Sequence, residues 1–191
     1  MPQQLSMLVT HVTAAQLEAG LDAIRDSPKD AGELQLIVRR PRVNHREVLE
    51  EGQLDTTEGL VGDTWQFRAS SKMPDKTSPH PERQITIMNA RVAALVAQHP
   101  DRWALAGDQL FIDLDLADSN LPPGTRLSVG SAVLELTPQA HTGCGKFVER
   151  FGLDAMKFVN SPIGRELRLR GIYARVVTGG VIRRGDVASK I

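Results

Sequence analysis

The apolar runs of this chain are short, and that constrains its fold more than any other feature. Leu110, Ile112, Leu114 and Leu116 recur at every second position, and a second set, Leu127, Val129, Ala132, Leu134 and Leu136, follows within 20 residues. Period-two recurrence marks half-buried strands. Pro122-Pro123-Gly124 supplies the turn between the two sets, Leu34 to Val38 and Ile85 to Met88 read as further strands, and Gly179-Gly180 reads as a hairpin turn between Tyr173–Thr178 and Val181-Ile182. Regular strand–helix alternation is missing, so the pattern predicts an antiparallel or mixed barrel with peripheral helices rather than a doubly wound parallel sheet.

Helical signals are few. Thr13 and Gln16 form a capping box ahead of Leu17, Leu21 and Ile24, which predicts an N-terminal helix that ends by Pro28. Asn89 is a candidate N-cap for a helix over 90–98, and Phe147 and Phe151, four apart, predict another over 146–158. Residues 69–82 hold three prolines and almost nothing apolar. They read as a long loop, either a pocket rim that orders on ligand or a plain surface insertion.

With 191 residues, 41% of them hydrophobic, the chain can bury a core without covalent support and is expected to form one domain, residues 1–29 being a helical extension. Cys144 is the only cysteine, which excludes an internal disulfide and any Cys-x-x-Cys metal site and points to a reducing, cytoplasmic setting. No stretch approaches the roughly 20 apolar residues of a membrane span, and the start of the chain lacks the pattern of a secretory signal. Twenty-three basic and 23 acidic side chains balance, which argues against a general nucleic-acid binder. The balance is uneven, because residues 141–191 alone carry 10 basic and 4 acidic groups.

That cationic stretch begins beside Cys144. Thr142-Gly143-Cys144-Gly145-Lys146 places the thiol between glycines, at the start of the predicted helix and next to a lysine, where dipole and cation both favour thiolate. The alternative is a buried, inert thiol. His141 precedes it by three residues, as a base, an anion contact or an exposed loop histidine. The five histidines show no metal-binding spacing, and there is no nucleophile elbow, P-loop or dinucleotide fingerprint. Gly62-Asp63, Gly107-Asp108 and Gly185-Asp186 each lie at a strand border and individually read as turns.

Taken in order, Gly59-Leu60-Val61-Gly62-Asp63, Arg83 before the strand Ile85–Met88, Gly107-Asp108-Gln109-Leu110, Gly124 to Gly130, Cys144, Arg170 to Val176 and Gly180 to Asp186 resemble the MOSC domain, named for the C-terminal domain of molybdenum-cofactor sulfurase. The resemblance covers about residues 30–190. It implies a β-barrel-like fold in which the cysteine matching Cys144 carries sulfur or coordinates molybdenum. The chain has Pro79-His80-Pro81-Glu82 where members commonly carry His-Gly-Gly, and Gly143-Cys144 where they carry Pro-Cys.

On this resemblance Cys144 is the expected catalytic residue and metal ligand, and Arg83, Lys146, Arg168, Arg175 and Asp63 are the expected contacts of an anionic molybdenum–pterin cofactor. Arg170 and Arg175 lie five apart on an extended segment, so only one is expected to reach the pocket. Arg175, embedded in a strand, is favoured because it needs an anion or a carboxylate to offset its desolvation. The expected function is reduction of N-hydroxylated small molecules, with electrons from a partner protein since the chain has no flavin or iron–sulfur motif. The alternatives are a sulfur carrier charged by a cysteine desulfurase, and a non-catalytic barrel for a small anion or a partner.

Overall fold

The computed structural model describes residues 10–191. Thr13 caps as expected, its side chain accepting from the amide of Gln16, but the N-terminal helix is two short pieces, α1 (Ala14–Ala19) and α2 (Leu21–Arg25), joined at Gly20. A nine-residue strand follows, β1 (Ala31–Arg39), then β2 (Glu47–Leu49), β3 (Glu51–Asp55), β4 (Gly59–Leu60) and β5 (Ile85–Asn89). Asn89 caps α3 (Ala90–Ala97) through the Arg91 amide. After a 3-10 turn over Pro100–Ala106 come β6 (Leu110–Ile112), β7 (Arg126–Val129) and β8 (Ala132–Leu136). The Phe147/Phe151 segment is α4 (Gly145–Asn160), interrupted at Gly152, whose φ of 89° is not helical. Then come α5 (Pro162–Glu166), β9 (Ile172–Thr178), β10 (Gly180–Arg183) and β11 (Val187–Lys190).

The large sheet runs β11-β7-β8-β9-β5-β6-β1, and pairing of β11 with β1 closes these seven strands into a barrel. β2 adds to β1 outside the ring. All the ring pairings are antiparallel except β5 with β6. Closure removes the unpaired edges that an open sheet of this size would expose. A separate sheet, β10-β3-β4, inserts Leu54, Leu60 and Ile182 into the same buried cluster as the inward-facing barrel residues. Its role corrects one expectation. Gly179-Gly180 is not a hairpin turn, because β10 leaves its chain neighbour β9 and pairs with β3; the two glycines carry the chain from one sheet to the other.

The period-two reading of 110–116 decides which side chains fill the barrel. Leu110, Ile112, Leu114 and Leu116 all join its interior, while Phe111, on the opposite face, packs outside with Leu17, Val92, Phe147 and Phe151 under the helices. Only 110–112 is paired as strand; Leu114 and Leu116 are buried without it. The residues between adjacent ends of β1, β6, β5 and β9, consecutive in the ring, form the mouth where the functional groups collect. No described helix is long and apolar enough to cross a membrane.

Candidate functional site

At this mouth lies a cavity of about 680 Å3. Arg40, Arg46, Arg68, Lys72, Arg83, Lys146, Arg150 and Arg170 line it, with His80, His141, Tyr173 and Cys144; among the described residues no Asp or Glu does. Like charges facing one space repel one another. Burial, then repulsion from Arg150, Arg40 and Arg68, lowers the Arg46 guanidinium below its ordinary value, and burial followed by Arg40 does the same to Arg68.

The 3-10 turn over Pro100–Ala106 holds part of this cluster. A helical turn ends with carbonyls that lack partners within it, and these attract cations. Here three consecutive carbonyls each take a different arginine: Leu105 O accepts from Arg150 at 2.7 Å, Ala106 O from Arg170 at 3.0 Å and Gly107 O from Arg40 at 2.9 Å. Gly107 ends the turn at φ 89°, a conformation that favours glycine.

Two of the three Gly-Asp pairs prove to be arginine holders. Asp63 is buried and does not line the cavity; its carboxylate accepts from Arg40 Nε and Nη2, both at 2.8 Å, and from the amides of Arg40 and Trp65. Its expected cofactor contact is therefore corrected to a hold on Arg40. Asp108 is fully buried and accepts from Arg170 Nη1 at 2.7 Å. Burial pushes its carboxyl up, against the pull of Arg170. Asp186 alone serves a turn, accepting from the Arg183 amide.

Of the other expected contacts, Cys144, Arg83 and Lys146 line the cavity and two do not. Arg175 sits on the outer barrel face, in register with Glu135 of β8, whose carboxylate it meets at 2.6 Å; Arg126 of β7, in register with Glu135 from the other side, pairs with it too. The partner that the strand arginine required is thus a carboxylate, and its side chain is 54% exposed. Together the two arginines hold the Glu135 carboxyl below its usual range. Arg168 pairs with Asp118 and donates to Leu121 O. Arg170 is the residue that reaches inside. It precedes Gly171, whose φ of 109° turns the chain before β9 begins, so strand alternation does not govern where it points.

Cys144 is exposed and stands at the N-cap of α4 without a side-chain capping bond. Asn160, at the far end of that helix, grips the loop before it: Asn160 Oδ1 accepts from Gly143 N at 2.8 Å and its amide donates to Gly143 O. Elsewhere on the cavity wall, Arg83 lies over the Tyr173 ring at 5.3 Å and His141 packs on the same ring at 4.6 Å. Residues Ala69, Ser70, Ser71, Lys72 and His80 of the proline-rich loop form part of the cavity wall. The loop is closed by Ser70 N donating to Ser78 O, and Asp75, held by the Ser78 hydroxyl and the amides of Ser78 and Thr77, has its carboxyl lowered to about 2.

Sequence reasoning missed Arg40, Arg46, Arg68, Lys72 and Arg150. Four of these five come from residues 1–140, the acidic portion of the chain, so segmental charge concealed them. The Arg39-Arg40-Pro41-Arg42 run directly after a predicted strand was the available signal.

The fold is a closed, MOSC-like β-barrel, and its cationic cavity is lined in part by the single thiol. The barrel is similar to YuaD from Bacillus subtilis, with a TM-score of 0.60 at 19% identity over 83% of this chain and 96% of that one. It is similar also to YiiM from Escherichia coli, with a TM-score of 0.53 at 16% identity, over 83% of this chain and 69% of that one, and to YiiM from Geobacillus stearothermophilus, at 0.50 and 12%, over 86% and 74%. YuaD and YiiM are MOSC-family proteins. No family model and no curated protein matches the chain by sequence.

Proposed function

We propose that this MOSC-type barrel holds a molybdenum–pterin cofactor and reduces N-hydroxylated small molecules. The observation that carries the reading is the cavity's lining: eight cations, no acid among the described residues, and the chain's one thiol. Such a space suits a ligand with several negative charges and a soft metal. Arg46 Nε, Arg83 Nε, Arg170 Nε and His141 Nδ1, all on residues that line the cavity, are buried without hydrogen-bond partners, a pattern that favours a polar ligand, since buried polar groups are otherwise paired. Among the described residues no three His, Cys, Asp or Glu side chains gather as a cluster for a bare ion, whereas a pterin dithiolene brings two sulfurs of its own.

In this reading Cys144 is the protein's ligand to molybdenum, and Arg40, Arg46, Arg68 and Arg150 hold the cofactor phosphate. Lys146 adds a point charge at the rim, and Arg83 and Tyr173 bound the space left for substrate. The cofactor supplies exchange of an oxygen atom and two electrons. The electrons come from a partner protein, and the setting is the cytoplasm, where a lone thiol stays reduced.

The exposure of Cys144 favours one second reading, a sulfur carrier whose persulfide is charged by a cysteine desulfurase and handed on from an accessible position. Elemental and pterin analysis of protein made in a host competent for the cofactor separates the two. About one molybdenum and one pterin per chain, lost in Cys144→Ser, supports the oxidoreductase; cyanide-labile sulfur without molybdenum supports the carrier. Neither would leave a barrel that binds a small anion.

A further inference from the structure

One buried polar atom of a cavity-lining side chain faces another on a residue that does not line the cavity. His141 Nδ1 and Asp108 Oδ1 are 3.6 Å apart, and neither has a hydrogen-bond partner. The second oxygen of Asp108 is taken by Arg170 at 2.7 Å, so the carboxylate is fixed in place and its free oxygen is aimed at the ring. A Cβ on Gly171 would lie 3.4 Å from His141 Nδ1, which places that edge of the ring against the backbone. With Nδ1 turned to Asp108 and Gly171, the other ring nitrogen, Nε2, is left for the cavity that the ring lines. A carboxylate behind a histidine orients the ring and stabilises its charged form.

We propose that His141 is the acid–base residue of this cavity, positioned by Asp108: it takes a proton at Nε2 when an oxyanion is seated, and gives that proton to an oxygen leaving a bound substrate. The surroundings explain why the two events are linked. His141 is held well below its ordinary value of 6.5, first by burial and then by Arg170, Arg40 and Arg83, so without an added anion the ring is neutral near pH 7. Asp108 faces it from the residue pair before β6, Tyr173 from β9, Arg83 from the turn before β5, and Arg40 from the end of β1. An oxyanion among these arginines offsets their repulsion and adds an attraction that works against the burial of the ring, and the imidazolium that forms lies between the anion and Asp108.

The transfer step rests on the proposed reduction. An N-hydroxylated amine becomes an amine and water by taking two electrons and two protons. The N–O bond breaks, the electrons come from the electron-carrier partner, one proton passes from His141 Nε2 to the departing oxygen, the other comes from solvent, and His141 is left neutral.

The test uses the cofactor-free chain and sulfate, which has no proton of its own to titrate near neutrality. Calorimetry at pH 7 in buffers of different ionisation enthalpy gives the protons taken up per sulfate bound. The wild-type protein should take up close to one proton, by linkage, and His141→Gln should bind sulfate without uptake. Asp108→Asn, where the imidazolium loses its partner, should show reduced uptake. Imidazole 15N shifts of the wild-type chain read the same event without a variant, His141 passing from a singly to a doubly protonated ring on sulfate addition. No uptake by wild type, whether or not sulfate binds, or uptake that persists in His141→Gln, overturns the inference. The molybdenum and pterin content of the wild-type protein decides the cofactor reading separately.

Discussion

Removing the Asp63 carboxylate should cost this protein much of its stability, although Asp63 never touches the cavity. Its side chain is fully buried and that of Arg40 is 7% exposed, so neither charge is relieved by water. In Asp63→Ala, Arg40 loses two hydrogen bonds of 2.8 Å and keeps only its donation to Gly107 O, while the Arg40 and Trp65 amides lose their acceptor. Breaking a buried pair from one side typically costs about 3–5 kcal/mol, because the remaining charge is uncompensated. In a chain of this size that lowers the melting temperature by roughly 6–20 °C. Urea unfolding followed by circular dichroism measures it, with Glu51→Ala as a control: that residue's pair with Arg183 is more than half exposed on both sides and should be worth under about 1 kcal/mol. Sulfate should recover part of the Asp63→Ala loss by giving Arg40 an anion from the cavity side. A loss below about 1 kcal/mol would refute the reasoning, since it would mean that Arg40 finds water or another acceptor as readily as Asp63.

Other consequences concern the cavity and the turns around it. Arg83 has one long contact, 3.3 Å to Gln139, and an unpartnered Nε, so Arg83→Ala should weaken sulfate binding by about tenfold or more, while Arg175→Ala on the outer face should stay within about twofold; calorimetry giving the reverse order would return Arg175 to the pocket. Because Cys144 is exposed and forms no capping bond at the N-cap of α4, Cys144→Ser should cost no stability and can gain up to about 1 kcal/mol by capping, and the native, cofactor-free thiol should alkylate readily. A thiol that reacts only after unfolding contradicts this. In Gly171→Ala a Cβ would stand 2.4 Å from Ile87 O at a φ of 109°, so a loss of roughly 2–4 kcal/mol by urea unfolding is expected, and a neutral result would remove the turn as the reason that Arg170 points inward. His141 binds its proton less readily when folded than at its ordinary value of 6.5. The unfolded chain therefore binds more protons, and stability should fall as pH drops below about 6.5, by up to roughly 1.4 kcal/mol per pH unit. His141→Gln should lack that component of the slope, and identical slopes would refute it.

How much of this molecule its sequence determines follows from what each signal measures. Alternation of apolar residues is a local property of extended backbone, and it correctly assigns Leu110, Ile112, Leu134 and Leu136 to the barrel interior. Caps are local too, and Thr13 and Asn89 hold the helix starts at which they were expected. The lone thiol beside a helix start was visible for the same reason: Gly143, Cys144 and the first turn of α4 are neighbours in the chain. Pairing between distant segments is not local. The departure of β10 from β9 to β3, and the register that sets Arg175 against Glu135 rather than against the cavity, follow from which strands the closed barrel brings together. The charge of the site is decided the same way. Five of its eight cations come from the acidic portion of the chain, and they meet because the ends of β1, β5, β6 and β9 meet, and because three carbonyls of one 3-10 turn hold Arg40, Arg150 and Arg170 there. Charge counted along a sequence sums over neighbours in the chain, whereas the field in a cavity sums over neighbours in space, and only tertiary structure defines those.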